Sequence, residues 1–120
     1  MLANLEPLDN VPEVSEPFRK DGQSFVTATN IGRTTLEYRG SSQSQILLYQ
    51  EVRSDSGWQK DAWSGEGMCE GYYKIAPGES VKLEIEFWDI DRPIRMLGKF
   101  SEFGTDRSGL VVLATNDKLD

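Results

Sequence analysis

A chain of 120 residues is the length of one domain, and folding at that size hides roughly two-thirds of the unfolded surface. A formal net charge of -7, with no basic cluster to interrupt it, argues against nucleic-acid phosphates and anionic membranes as partners. The complete absence of histidine excludes His-based acid–base catalysis, Ser-His-Asp and Cys-His arrangements, and His-ligated zinc or copper.

Residues 1–22, "MLANLEPLDNVPEVSEPFRKDG", spread three prolines through an acidic stretch. Proline lacks a donor and fixes φ, so neither a helix nor a central strand suits this segment. The expectation is an extended, flexible N-terminal arm that can be removed without unfolding the domain, followed by a β-sandwich domain over residues 23–118. "SFVTATNI" and "TTLEYRG" read as two strands around a short turn at "NIGR". "QILLYQEVR" is a third apolar run, ended by the turn-rich "SDSG". The stretch Gly57–Tyr73 reads as a long glycine-rich loop. "APGES" is a turn with the φ of Pro77 preset and Gly78 free to take positive φ.

"SVKLEIEFWD" alternates with a period of two. Val81, Leu83, Ile85 and Phe87 share one face, and Lys82, Glu84 and Glu86 the other, as a half-buried strand requires. "IRMLGKFS" puts Ile94, Met96 and Phe100 in phase. "GLVVLAT" is almost wholly apolar and reads as a strand buried on both faces. Short strands at this spacing, divided by Gly, Pro, Asn, Asp and Ser, predict an all-β, antiparallel β-sandwich of about seven strands.

The Gly57–Tyr73 stretch concentrates tryptophan, tyrosine and the single cysteine. Two readings compete. In the first, Trp63 is a buried anchor closing one end of the sandwich, and the glycines let the backbone bend around it. In the second, Trp58, Trp63, Tyr72, Tyr73 and Trp88 form an aromatic ligand-binding surface. Tyr72 and Tyr73 are adjacent, so one of them points outward if the segment is extended. Trp88 shares parity with the polar face of its strand. Cys69 lies near Glu66 and Glu70, which raise a thiol pKa rather than lower it, and so reads as inert. Asp89 and Asp91 in "DIDRP" are weak calcium candidates, because a calcium loop needs six or more oxygen ligands and no EF-hand pattern surrounds them.

The order of motifs resembles a group of small uncharacterised bacterial domains with an immunoglobulin-like sandwich. The matching pieces are Asn30, "YRG" at Tyr38–Gly40, "WSGEG" at Trp63–Gly67, "PGES" at Pro77–Ser80 and "IRMLGKF" at Ile94–Phe100. Where that group often carries a cysteine after the tryptophan, this chain has Ser64, and its cysteine at Cys69. The resemblance implies an immunoglobulin-like fold and no particular activity.

The functional expectation is a non-catalytic binding or accessory module for a protein or a glycan, with no cofactor, no nucleic-acid partner and no membrane insertion. The alternatives are a small hydrolase using paired carboxylates and a calcium-binding domain. No apolar run approaches the ~20 residues of a membrane span. The N-terminus lacks a basic n-region and an apolar h-region, so the chain is expected to be soluble: cytoplasmic, or exported with its signal already removed.

Overall fold

The computed structural model describes residues 7–63, 71–86 and 93–116, with the backbone alone described at 60–63. Among these residues there are eleven strand segments and no α-helix. They are β1 (Glu13–Val14), β2 (Phe18–Lys20), β3 (Gln23–Thr29), β4 (Leu36–Ser42), β5 (Gln45–Ile46), β6 (Leu48–Ser54), β7 (Gly57–Trp63), β8 (Gly71–Ile75), β9 (Ser80–Ile85), β10 (Ile94–Glu102) and β11 (Ser108–Thr115). Three of them, β1, β2 and β5, are only two or three residues long, so the segment count exceeds the seven strands expected.

Two antiparallel sheets result. In the smaller, β9 pairs along one edge of β3, from Ser24↔Ile85 to Thr29↔Ser80. The other edge of β3 is shared in series by β1, through Val14↔Ala28, and β2, through Phe18↔Phe25. The larger sheet is built on β10, which pairs with β11 on one edge and with β6 and then β4 on the other. β8 flanks β4, and β7 flanks β6.

The alternation of apolar residues explains how the sheets meet. Val26 and Ala28 of β3 and Val81, Leu83 and Ile85 of β9 face Leu36 and Tyr38 of β4, Met96 and Phe100 of β10, and Leu113 of β11 in one shared core. The architecture is compatible with a β-sandwich. Tyr38 packs tilted against Phe100, with ring centroids 5.8 Å apart. Lys82 and Glu86 are exposed and Glu84 half-buried, as the period of two requires, while Phe87 lies outside the described residues. Leu83 is fully buried. We therefore expect Leu83→Ala to cost about 2–4 kcal/mol in urea unfolding, from lost packing plus a residual cavity. Glu84→Ala should stay within about 0.5 kcal/mol. A similar midpoint for the two variants would contradict this packing.

Four sequence expectations change. Residues 7–22 are extended but not free, since they supply β1 and β2 and bury Asn10 and Pro12. The prolines are tolerated because this is an edge, where an absent N–H leaves no ladder bond unmade. Pro17 falls in the gap between β1 and β2. Within that gap the Ser15 hydroxyl, rather than a carbonyl, accepts the Thr27 N–H at 2.9 Å.

Next, β3 and β4 are not a hairpin. The segment between them carries the chain from one sheet to the other, fixed by Asn30. Its backbone N–H donates to the Glu79 carbonyl and its carbonyl accepts from the Gly78 N–H, which ties it to the "APGES" turn. Gly78 there takes φ 85, as that turn demands. The third change concerns β11, which is not buried on both faces. Leu110 and Val112 are 46% and 40% exposed. A bulge between Met96 and Leu97 in the β10–β11 ladder lets the successive residues Leu113 and Ala114 both reach the interior. Last, Gly57–Tyr73 is not a single loop: it contains β7 and the start of β8.

Candidate ligand-binding site

The candidate site arises from a fork in the larger sheet. β4 and β10 are paired only at Leu36↔Glu102 and Glu37↔Ser101. Beyond Glu37 they separate. The chain from Gln45 to Ser54 enters the opening, first as β5 against Gly40 and Ser42, then as β6 against Ile94–Gly98. Its "ILLY" run fills both sides of the sheet. Ile46 and Leu48 join the main core, while Leu47 and Tyr49 form a second small cluster with Leu97 on the opposite face.

Leu47 and Tyr49 of this cluster floor an open groove of about 250 Å³ on the outward face. Its walls carry Tyr72 from β8, Glu37 and Arg39 from β4, and Lys99 and Ser101 from β10. Tyr72 is 65% exposed. Arg39 is its cross-strand partner, and the Arg39 guanidinium carbon lies 5.7 Å from the ring centroid. The groove therefore combines an apolar floor, an accessible aromatic ring, two cations, a carboxylate and a hydroxyl.

Of the expected aromatic residues whose side chains are described, Tyr72 alone has both its place in this groove and an open ring. Tyr73 points to the other face, half-buried against the core with its ring centroid 5.9 Å from that of Tyr38. Trp58 does lie on the outward face, but its ring is engaged. The Arg95 guanidinium carbon sits 4.6 Å from its centroid, and Arg95 is itself held by Glu51 through Nη2–Oε1 and Nε–Oε1 distances of 2.7 and 2.8 Å. Trp63 stands opposite Tyr49 in the β6–β7 register. Its side chain, together with Cys69, Trp88, Asp89 and Asp91, lies outside the described residues. Among the described residues no group of three or more carboxylate, Cys or His side chains is placed to hold a metal ion.

Tyr38 turns its hydroxyl to the Gln43 carbonyl, to which it donates a hydrogen bond. Burial first, and then the neighbouring Tyr73, push its pKa up to about 12, so it stays a protonated donor near neutral pH.

A second polar cluster sits where residues 9 and 10 meet the β3–β4 connection. Glu102 is only 3% exposed. Its carboxylate accepts from the backbone N–H of Asp9 at 2.8 Å, from that of Asn10 at 3.3 Å and from the Thr34 hydroxyl at 3.0 Å. Burial pushes the Glu102 carboxyl up, but those three donors and the nearby Arg107 outweigh it and hold the group below its usual range. Asn10 Nδ2 donates to Asn30 Oδ1 and to the Thr34 carbonyl, both at 2.9 Å. Gly32 is required beside it, because a Cβ there would lie 2.2 Å from Asn10 Oδ1. Every contact of this cluster ties one chain segment to another, so we read it as a clamp on the fold rather than a ligand site.

No family model, curated protein or solved structure matches this chain.

The groove residues Arg39, Leu47, Tyr49 and Lys99 were missed at sequence level. One signal was available: four successive apolar residues at Ile46–Tyr49 mark a strand covered on both faces, and so an outward cluster.

Proposed function

We propose that this chain is a non-catalytic binding module of immunoglobulin-like sandwich type, and that its ligand is a saccharide held in the groove at the β4–β10 fork. The observation that carries this reading is the pairing of the exposed Tyr72 ring with polar side chains over an apolar floor. A flat aromatic face stacks on the C–H face of a sugar ring, and Arg39, Lys99, Ser101 and Glu37 supply hydrogen-bonding groups for its hydroxyls. Among the described residues Glu37 is the single carboxylate lining the groove, whereas glycoside hydrolysis takes two acids facing the bond to be cut. That contrast favours binding over hydrolysis. Two antiparallel sheets around one core are compatible with the immunoglobulin-like resemblance noted from the motifs.

Tyr72→Ala tests the reading. The side chain is mostly outside the core, so the thermal midpoint should shift by no more than about two degrees. Binding to immobilised oligosaccharides that retain the parent protein should fall by about tenfold or more, the scale of one lost stacking contact. Retained binding in a folded Tyr72→Ala protein would move the ligand away from this groove.

A further inference from the structure

We propose that the saccharide taken by this groove is acidic, of the uronate type, with its carboxylate seated between Arg39 and Lys99. The proposal rests on the saccharide reading above and adds the charge of the ligand.

The fork explains why these two cations meet. The last β4–β10 pair before the strands part is Glu37↔Ser101. Carrying the same antiparallel register two residues further on each strand brings Arg39 opposite Lys99. Here the strands have separated and the groove lies between them, so the two side chains line it from opposite sides. Like charges facing across a sheet oppose one another, and an anion between them reverses that sign. Among the described residues neither has a carboxylate partner, and Arg39 has only its contact with the Tyr72 ring. Among the described residues two other cations are matched, Arg95 with Glu51 and Arg107 with Asp9. The nearest groove carboxylate, Glu37, is two residues along β4 from Arg39, about 7 Å away. It stands opposite Lys74 in the register with β8, so the Arg39–Lys99 end of the groove is the positive end.

The surroundings favour a sugar acid over an acidic peptide. β4 lies between β8 and the β10/β5 side, and β10 between β11 and the β6/β4 side, so among the described residues neither strand flanking the groove has an open edge for a peptide to extend, and the outer edge of β8 is on the side away from β4. Recognition falls to side chains. A guanidinium matches a carboxylate in a planar, two-point fashion, and the apolar floor of Leu47 and Tyr49 strengthens that attraction by excluding water. A groove of about 250 Å³ is below the ~300–1,000 Å³ of drug-sized sites, which suits one sugar ring of a longer chain.

Titration calorimetry on the whole chain tests this with tetrasaccharides of galacturonate, glucuronate and mannuronate, and with the methyl ester of each. The esters keep the ring and remove the charge. At least one acid should bind about tenfold or more tighter than its ester, the scale of a charge-assisted hydrogen bond, and should weaken as salt is raised. In the Arg39→Gln/Lys99→Gln protein, acid and ester should bind within about twofold of each other, with an unchanged melting midpoint showing that the fold is intact. Equal binding of acid and ester by the parent protein would overturn the charge assignment and leave the saccharide reading standing. If no acid, no ester and no neutral oligosaccharide binds, or if poly-glutamate binds and competes for the groove while saccharides do not, both fall together.

Discussion

Removing residues 1–20 is expected to lower the thermal midpoint by about ten degrees or more. The segment is stitched to the domain at three levels. At the backbone, β1 and β2 supply the outer ladder of β3, and Ser15 N–H donates to the Thr27 carbonyl at 2.9 Å. Among side chains, Leu8 and Val14 pack against the core and Phe18 stacks on Phe25 with centroids 5.9 Å apart. Electrostatically, the deletion takes two N–H donors from the buried Glu102 carboxylate and the Asp9 carboxylate from Arg107. A buried charge stripped of donors costs more than the bonds that satisfied it contributed. Together these losses amount to about 3 kcal/mol or more, and at about 4 °C per kcal/mol for a domain of this size they give the stated shift. Removing residues 1–6 alone keeps every one of these contacts and serves as the control. Equal midpoints for the two truncations would show that the segment contributes nothing to the fold.

Asn30→Ala should be the most damaging single substitution, at about 4 kcal/mol. Asn30 is fully buried, and its amide is saturated. Nδ2 donates to the Thr34 carbonyl at 2.8 Å and the Ile75 carbonyl at 2.7 Å, while Oδ1 accepts from Gly32 N–H at 3.0 Å and from Asn10 Nδ2 at 2.9 Å. These bonds join the β3–β4 connection to the end of β8 and to the N-terminal segment. Truncation takes the side-chain donor from the Ile75 carbonyl and the acceptor from the Gly32 N–H, each costing about 1–3 kcal/mol before relaxation recovers part of it, while the Thr34 carbonyl and Asn10 Nδ2 keep only their bond to each other and the Thr34 hydroxyl. Asn30→Asp should be no rescue. It replaces the Nδ2 donor with a second acceptor aimed at carbonyl oxygens. Urea unfolding at an unchanged slope is the measurement, and a loss below about 1 kcal/mol for Asn30→Ala would show that the network is replaceable.

The strands that a single face explains were legible in the sequence. Val81, Leu83 and Ile85, and likewise Ile94, Met96 and Phe100, alternate because these residues share the side of their strand that faces the main core, and all are buried as expected, although β10 also buries Leu97 on its other side. What escaped were features set by partners distant in sequence. Nothing local in "VPEVSEPF" says that β3, with its own alternation, needs an outer neighbour. Nothing near Glu102 announces a buried carboxylate, because its donors come from Asp9 and Asn10 more than ninety positions away. "GLVVLAT" looked two-sided because the sequence does not show the bulge that turns Leu113 and Ala114 inward together while leaving Leu110 and Val112 outside. The groove escaped for the same reason. Arg39 and Lys99 are ordinary surface residues on their own strands, and they become a pair only where β4 and β10 part.

The interruption between β1 and β2 also bears on strand pairing along this side of the smaller sheet. A continuous outer strand offers an unbroken row of N–H and C=O groups along which another molecule can lengthen the sheet. Here the row is broken at its middle. Ser15 turns its hydroxyl back to Thr27, Pro17 has no N–H to present, and the charged Arg19 and Lys20 occupy β2. Too few evenly spaced groups remain in sequence for a foreign strand to pair with. The prolines that make this segment look unstructured thus leave the β1/β2 rim of the smaller sheet without a template for edge-to-edge growth.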